Sequence, residues 1–176
     1  MSFLVISASL NPESKSYQMA KVAFEDLQNL GVDATLLDIR EFDLPFCDGD
    51  KAYDHPDALK VSGIIREGKG ILLAIPVYNF YGNAAAKNLI ELAGNSWKEK
   101  VVGFICSAGG KSSYMSAMSL ASSLMLDFRC LILPKFVYAT GDSFEDGQLT
   151  DEDIRKRIAE LASKLVKVTT ALNDHS

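Results

Sequence analysis

Three short stretches of the chain gather the residue types that do chemistry, and each follows an apolar run. The first is Ser7-Ala-Ser-Leu-Asn-Pro-Glu-Ser-Lys-Ser-Tyr, which places Ser9, Asn11, Ser14, Lys15 and Ser16 at the start of a helical pattern. A helix N-terminus presents free N–H groups and a partial positive charge, and so favours an anion. Hydroxyl and carboxamide groups beside it add donors to phosphate oxygens. A serine before a helix is ordinarily a cap; several such polar side chains at one helix start also favour phosphate. The Gly-x-Gly-x-x-Gly dinucleotide fingerprint is absent from this stretch.

The second stretch is Pro76-Val77-Tyr78-Asn79-Phe80-Tyr81-Gly82-Asn83. Its aromatics can wall a flat ring system while backbone and amide groups bond the ring's edge. The same aromatics can instead cover the core or a subunit interface. The third stretch is Ser107-Ala108-Gly109-Gly110-Lys111-Ser112, where paired glycines let the backbone approach a ligand closely. Gly110-Lys111-Ser112 looks like the end of a nucleoside-triphosphate loop, but that loop needs a glycine where Ile105 stands.

Other catalytic constellations fail. A phospho-accepting response regulator needs acids after the first strand and an Asp ending the third, where this chain has serines and Pro-Val-Tyr. A cysteine phosphatase needs Cys-x5-Arg spacing; Cys47, Cys106 and Cys130 have Tyr53, Ser112 and Phe136 at that position. The histidines, His55 and His175, fall in a loop and in the tail, so a histidine-based triad is not expected. Three widely spaced cysteines form neither a disulfide framework nor a zinc site. No side chain is therefore assigned a catalytic role and no metal is expected. The chemistry belongs to a cofactor.

The elements that must position these stretches alternate along the chain. Residues 3–7, 32–39, 70–76, 101–106 and 131–139 read as strands, the first a continuous apolar run as expected of a strand buried on both faces and the third the most apolar. Residues 16–30, 56–68, 84–93, 112–127 and 151–172 carry helical periodicity, with Gly31 ending the first and Thr150 capping the last. Such alternation gives a parallel sheet with right-handed crossovers. The expected fold is α/β: a flavodoxin-like three-layer sandwich, its five-stranded parallel sheet in order 2-1-3-4-5 with helices on both faces. Residues 1–176 are expected to form a single domain. In that strand order ligands sit beyond the C-terminal strand ends, at the switch between strands 1 and 3. The three stretches fall there.

Charge narrows the partners. Lys plus Arg is 18 and Asp plus Glu is 23, for a net charge of -5. The acid excess weighs against nucleic acid and leaves room for a local basic site. No run approaches the roughly 18 apolar residues that span a membrane. The N-terminal run lacks the basic region of a signal peptide. No membrane partner and a cytoplasmic location are expected. Residues 112–127 mix small residues with Met, and packing against the sheet or against a partner subunit are both open.

Together the motifs resemble those of the NADPH-dependent FMN reductase family of flavodoxin-like flavoproteins, over nearly the whole chain up to the last strand. That family's phosphate loop is of Gly-Ser-x-Arg-x-x-Ser-x-Asn type. Here Ser9 and Ser14 match, Asn11 stands for Arg and Ser16 for Asn. Pro76-Val77-Tyr78-Asn79 is followed at the family's spacing by Lys87-Asn88, with Asn83 where many members carry Pro. Residues 43–50 are similar to the family's Leu-Pro-x-x-Asp-x-Asp segment.

The resemblance implies FMN at the switch point. Ser9, Asn11, Ser14, Lys15 and Ser16 would hold its phosphate. Pro76, Val77, Tyr78, Asn79, Phe80 and Tyr81 on one side, and Ser107, Ala108, Gly109 and Gly110 on the other, would hold its ring. It further implies NADPH or NADH as reductant, ping-pong hydride transfer to a flavin, quinone or similar small-molecule acceptor, and a homodimer or homotetramer. The alternative is a flavodoxin-like electron carrier that binds FMN without oxidising NAD(P)H. The phosphate loop lacks the glycine of such carriers, and Pro76-Val-Tyr-Asn sits with the reductases. A flavin-free structural member is a third reading, supported only by the missing loop Arg.

Overall fold

Strand pleating puts alternate side chains on opposite faces, and here both faces are covered. In the computed structural model, which describes residues 2–174, Phe3, Val5, Leu72 and Ile105 pack into one apolar cluster. Their neighbours Leu4, Ile6, Leu73 and Phe104 pack into another. The long strands are β1 (Ser2–Ser7), β2 (Asp33–Asp38), β3 (Gly68–Tyr78) and β5 (Val101–Ser107). A short β4 (Tyr81–Gly82) folds back antiparallel on β3, and β6 (Leu131–Ile132) and β7 (Val137–Ala139) both pair parallel with β5. The order is β2-β1-β3-β5-β6, the expected flavodoxin-like arrangement with its fifth position split in two.

The helices are α1 (Lys15–Asn29), α2 (Pro56–Glu67), α3 (Ala84–Ala93), α4 (Met118–Phe128) and α5 (Glu152–Asn173). Buried residues of α1 and α5 join the Phe3 cluster, and those of α2, α3 and α4 join the Leu4 cluster, giving three layers. Local signals explain the boundaries. The Ser14 hydroxyl accepts the Tyr17 N–H at 3.1 Å, and Gly31, at φ 73, takes the left-handed turn that ends α1. Pro56 opens α2, and His55 Nδ1 accepts the Asp57 N–H at 3.3 Å, so this histidine caps a helix. His175 lies outside the described residues.

The elements depart from expectation in four places. The fifth strand breaks between Ile132 and Val137, where Pro134 has no N–H to donate and Lys135 stands at φ 62. Its edge position allows the break, since no outer strand loses a partner. The fourth helix opens as a 3-10 segment, Lys111–Ala117, kinked at Ser113. Its serines compete with the helical backbone for hydrogen bonds. Asp151, not Thr150, caps α5, accepting from Asp153 N at 3.0 Å and Ile154 N at 3.2 Å. A hairpin of β8 (Phe144–Glu145) and β9 (Gln148–Leu149) fills the stretch before it.

Candidate functional site

The C-terminal ends of β1, β3 and β5 open into a cleft of about 1010 Å3. Ser9, Asn11, Ser14, Lys15 and Ser16 form one wall; Pro76, Val77, Tyr78, Asn79 and Phe80 form the second; Ser107, Ala108, Gly109 and Gly110 form the third. Of the expected site residues only Tyr81 lies elsewhere. It joins Phe80, Met115 and Met118 on an outer groove. Glu13, Ser113 and Gly141 also line the cleft, and no sequence pattern marked them.

The first wall is a set of hydrogen-bond donors left over from a self-bracing loop. Ser9 Oγ accepts the Asn11 N–H at 3.2 Å, and Asn11 Oδ1 accepts the Glu13 N–H at 2.9 Å. Both side chains use acceptor capacity on the loop and keep their donors. Ser14 caps α1 while its hydroxyl shares one proton with Ser16 Oγ at 2.9 Å. The cap and phosphate readings are therefore compatible on one residue. By helix geometry the N–H groups of Lys15 and Ser16 have no intrahelical partner. Lys15 Nζ lies 5.4 Å from the centre of the Phe144 ring. Glu13 also lines the cleft, so an anion here rests mainly on oriented N–H and O–H groups.

The second wall is a two-residue turn. Tyr78 pairs antiparallel with Tyr81, and Asn79 and Phe80 between them stand at φ 51 and φ 65. Two successive left-handed residues make the turn type that matches strand twist in hairpins, ordinarily Asn-Gly. Asn tolerates that region; a Phe there is strained, and such strain gathers at functional sites. The turn holds Tyr78 and Phe80 more than half exposed, at 51% and 63%. In the third wall a Cβ at Gly109 or Gly110 would stand in open space. The Tyr138 hydroxyl donates to Gly110 O at 2.5 Å and fixes that backbone.

Two residues outside the expected set, Arg40 and Asn83, brace the walls, and a third, Asn88, braces the loop after β2. Arg40, just past β2, donates through Nη1 to the carbonyls of Asn11 and Pro12, each at 3.1 Å. Its guanidinium lies 4.4 Å from the centre of the Tyr17 ring. The Asp38 carboxylate, 2.9 Å from Arg40 Nε, orients it and holds it more firmly protonated than usual. Asn83 Nδ2 donates to Ala8 O at 2.6 Å. Asn88 accepts the Cys47 N–H at 2.8 Å and donates to Pro45 O at 2.9 Å. The Lys87-Asn88 motif thus anchors the loop after β2, with Lys87 paired to Glu91 at 2.6 Å. The sequence marked Asn83 as a departure from Pro and Lys87-Asn88 as a spaced motif, but not the bonds they make, and gave no sign of Arg40.

The two buried thiols, Cys106 and Cys130, offer no nucleophile. Burial pushes Cys106 up to about 12 and Cys130 up to about 11, so both are neutral at pH 7. What remains is a donor-rich helix start facing an aromatic turn and a bare glycine backbone. Those parts fit a planar, phosphorylated cofactor: phosphate on the first wall, ring between the other two.

Fold and site together define a flavodoxin-like flavoprotein. Residues 1–145 match the model of the NADPH-dependent FMN reductase family, and the chain belongs to that family. It is 29% identical over 144 residues to an NAD(P)H-dependent FAD/FMN reductase of Geobacillus thermodenitrificans, covering 80% of this chain and 78% of that protein. Among solved structures it resembles FerB, a flavoenzyme NAD(P)H:(acceptor) oxidoreductase from Paracoccus denitrificans. That likeness has a TM-score of 0.79 at 21% identity and covers 97% of each chain. An apo NADH:FMN oxidoreductase, EMOB, matches at 0.74 and 12%, over 93% of this chain and 89% of that one. The chain is accordingly an NAD(P)H-dependent oxidoreductase whose cofactor is FMN.

Proposed function

We propose that the cleft is the FMN site, that reductant and acceptor use its mouth in turn, and that residues 1–176 are one FMN-binding domain. The observation that carries this reading is the meeting of three walls at one set of strand ends. Ser9, Asn11, Ser14 and Ser16, with the first-turn N–H groups of α1, would hold the phosphate, and Lys15 would add a charge. Tyr78, Asn79 and Phe80 would flank the ring from one side. The backbone of Ser107, Ala108, Gly109 and Gly110 would approach it from the other. Bound FMN would supply the redox chemistry of hydride and electron transfer.

The protein's own part is orientation and charge. Backbone N–H groups of residues 77–79 and 109–110 stabilise negative charge that develops on a ring between them, without a side-chain acid. Reductant and acceptor sharing the mouth of this cleft would make the order ping-pong. A flavin, a quinone or a similar flat acceptor fits an aromatic mouth. Phe80, Tyr81, Met115 and Met118 leave an apolar groove at that mouth. A second copy covering it would make the enzyme a homodimer, or a homotetramer by a further interface. Three free cysteines suit a reducing cytoplasm.

Titration of purified apoprotein with FMN, followed by flavin fluorescence, tests the placement. Ser14→Ala and Asn79→Ala should each weaken binding, and unchanged affinity in both would refute it. A carrier would bind FMN equally but leave NAD(P)H unoxidised.

A further inference from the structure

Beside the cleft, at the break in the fifth strand, lies a second recess of about 640 Å3. Pro134 and Lys135 form its lip, Arg157, Glu160, Leu161 and Lys164 line it from α5, and Tyr114 walls it. The spacing 157, 160, 161, 164 is one stripe of a helix. Lys135, Arg157 and Lys164 bring three positive charges around one acid, Glu160, in a chain of net charge -5. Ion pairs among the described residues join Arg40 to Asp38, Lys87 to Glu91 and Arg129 to Glu99, and use none of these four groups. Arg157 Nη2 donates to Phe136 O at 3.3 Å, which holds the guanidinium at the sheet edge. Cations in excess beside an aromatic ring favour an anion that carries a flat group.

The recess adjoins the cleft. Ser113 lines the cleft and the next residue, Tyr114, lines the recess. The Tyr114 ring stands 5.7 Å from that of Tyr138, whose hydroxyl is bonded to Gly110 of the cleft wall. Arg157, Glu160, Leu161 and Lys164 lie beyond the residues 1–145 that match the family, so the family likeness does not account for them.

We propose that this recess binds the adenosine 2′-phosphate end of NADPH, with Lys135, Arg157 and Lys164 on the phosphate and Tyr114 beside the adenine. The 2′-phosphate is the group that separates NADPH from NADH, and an Arg is what accommodates it in dinucleotide sites. The assignment makes NADPH the preferred reductant. It rests on the reading that the reductant is oxidised in the adjoining cleft.

The test titrates the FMN-loaded enzyme with adenosine 2′,5′-bisphosphate and with 5′-AMP by calorimetry, beside kcat/KM for NADPH and NADH. The bisphosphate should bind roughly tenfold or more tighter than the monophosphate. Lys164→Glu, an exposed change that threatens no packing, should reduce both that preference and the NADPH-to-NADH ratio. Arg157→Ala should do the same. Equal binding of the two nucleotides, or a preference untouched by Lys164→Glu, would overturn the proposal. A variant that raises KM for free FMN but not for riboflavin, with the NADPH-to-NADH ratio intact, would assign the phosphate to the acceptor and overturn it too. Bisphosphate preference without flavin reduction by either nucleotide would uphold the recess and contradict oxidation in the cleft. Flavin reduction without that preference would contradict the recess alone.

Discussion

Asn83 Nδ2 lies 2.6 Å from the carbonyl oxygen of Ala8, joining the loops after β1 and β3 across the point where strand order reverses. The Asn83 backbone N–H also donates to Pro76 O at 3.2 Å. One residue thus holds two walls of the cleft in register. Its side chain is buried, so Asn83→Ala leaves the Ala8 carbonyl short of a donor and should cost about 1–3 kcal/mol of stability. FMN affinity should fall with it. Urea unfolding and FMN titration of the variant check both, and wild-type values in the two would remove Asn83 from this role.

Arg40 braces the loop after β1 through the carbonyls of Asn11 and Pro12. Arg40→Ala frees the carbonyls of Asn11 and Pro12 and should weaken FMN binding by roughly tenfold through loss of charge-assisted bonds. Arg40→Lys should not restore it, because an ammonium cannot serve Asp38, two carbonyls and the Tyr17 ring at once. Full rescue by Lys would show that charge alone matters here.

Phe80 occupies a backbone conformation that suits glycine. Phe80→Gly should relieve about 1–2 kcal/mol of left-handed strain, offset in part by greater freedom of the unfolded chain. The melting temperature should therefore hold or rise while KM for the reductant increases. A large fall in melting temperature would mean that the ring, not the turn, stabilises the hairpin.

Lys100 lies at the opposite end of the sheet, buried, its Nζ donating to Arg66 O at 2.6 Å. Burial lowers its pKa from 10.5 to about 8. Below pH 8 both folded and unfolded chains carry the proton. Between about 8 and 10.5 only the unfolded chain does, so stability contributed at this site rises with pH across that window. Urea denaturation should show the wild type gaining on Lys100→Met from pH 8 to pH 10. Parallel pH profiles for the two proteins would contradict the depressed pKa.

Much of this was legible in the residues, for physical reasons. Runs such as Ile71 to Ile75 are apolar without interruption because both faces of β3 are buried, which marks a central parallel strand. The meeting of the three loops at one cleft was legible because a parallel α/β sheet sends its strand ends to one side. The bracing bonds were not. Arg40 carried no mark in the sequence, and Asn83 and Asn88, though marked by position, act through side-chain bonds to backbone groups distant in sequence, which no period reveals. The β8–β9 hairpin could have been found: Asp146-Gly147, at φ 47 and φ 76, is a strong short-range hairpin signal. Thr150 and Asp151 are both competent caps. Asp151 takes the role because its carboxylate also accepts the Ser143 hydroxyl at 2.9 Å.

The most direct measurement is the absorbance of the FMN-loaded protein mixed with NADPH in the absence of oxygen. Bleaching of the flavin band, followed by its return when a quinone or free flavin is added after the NADPH is spent, is the expected result. A flavin band that NADPH and NADH both leave unchanged would contradict oxidation of the reductant at this cleft.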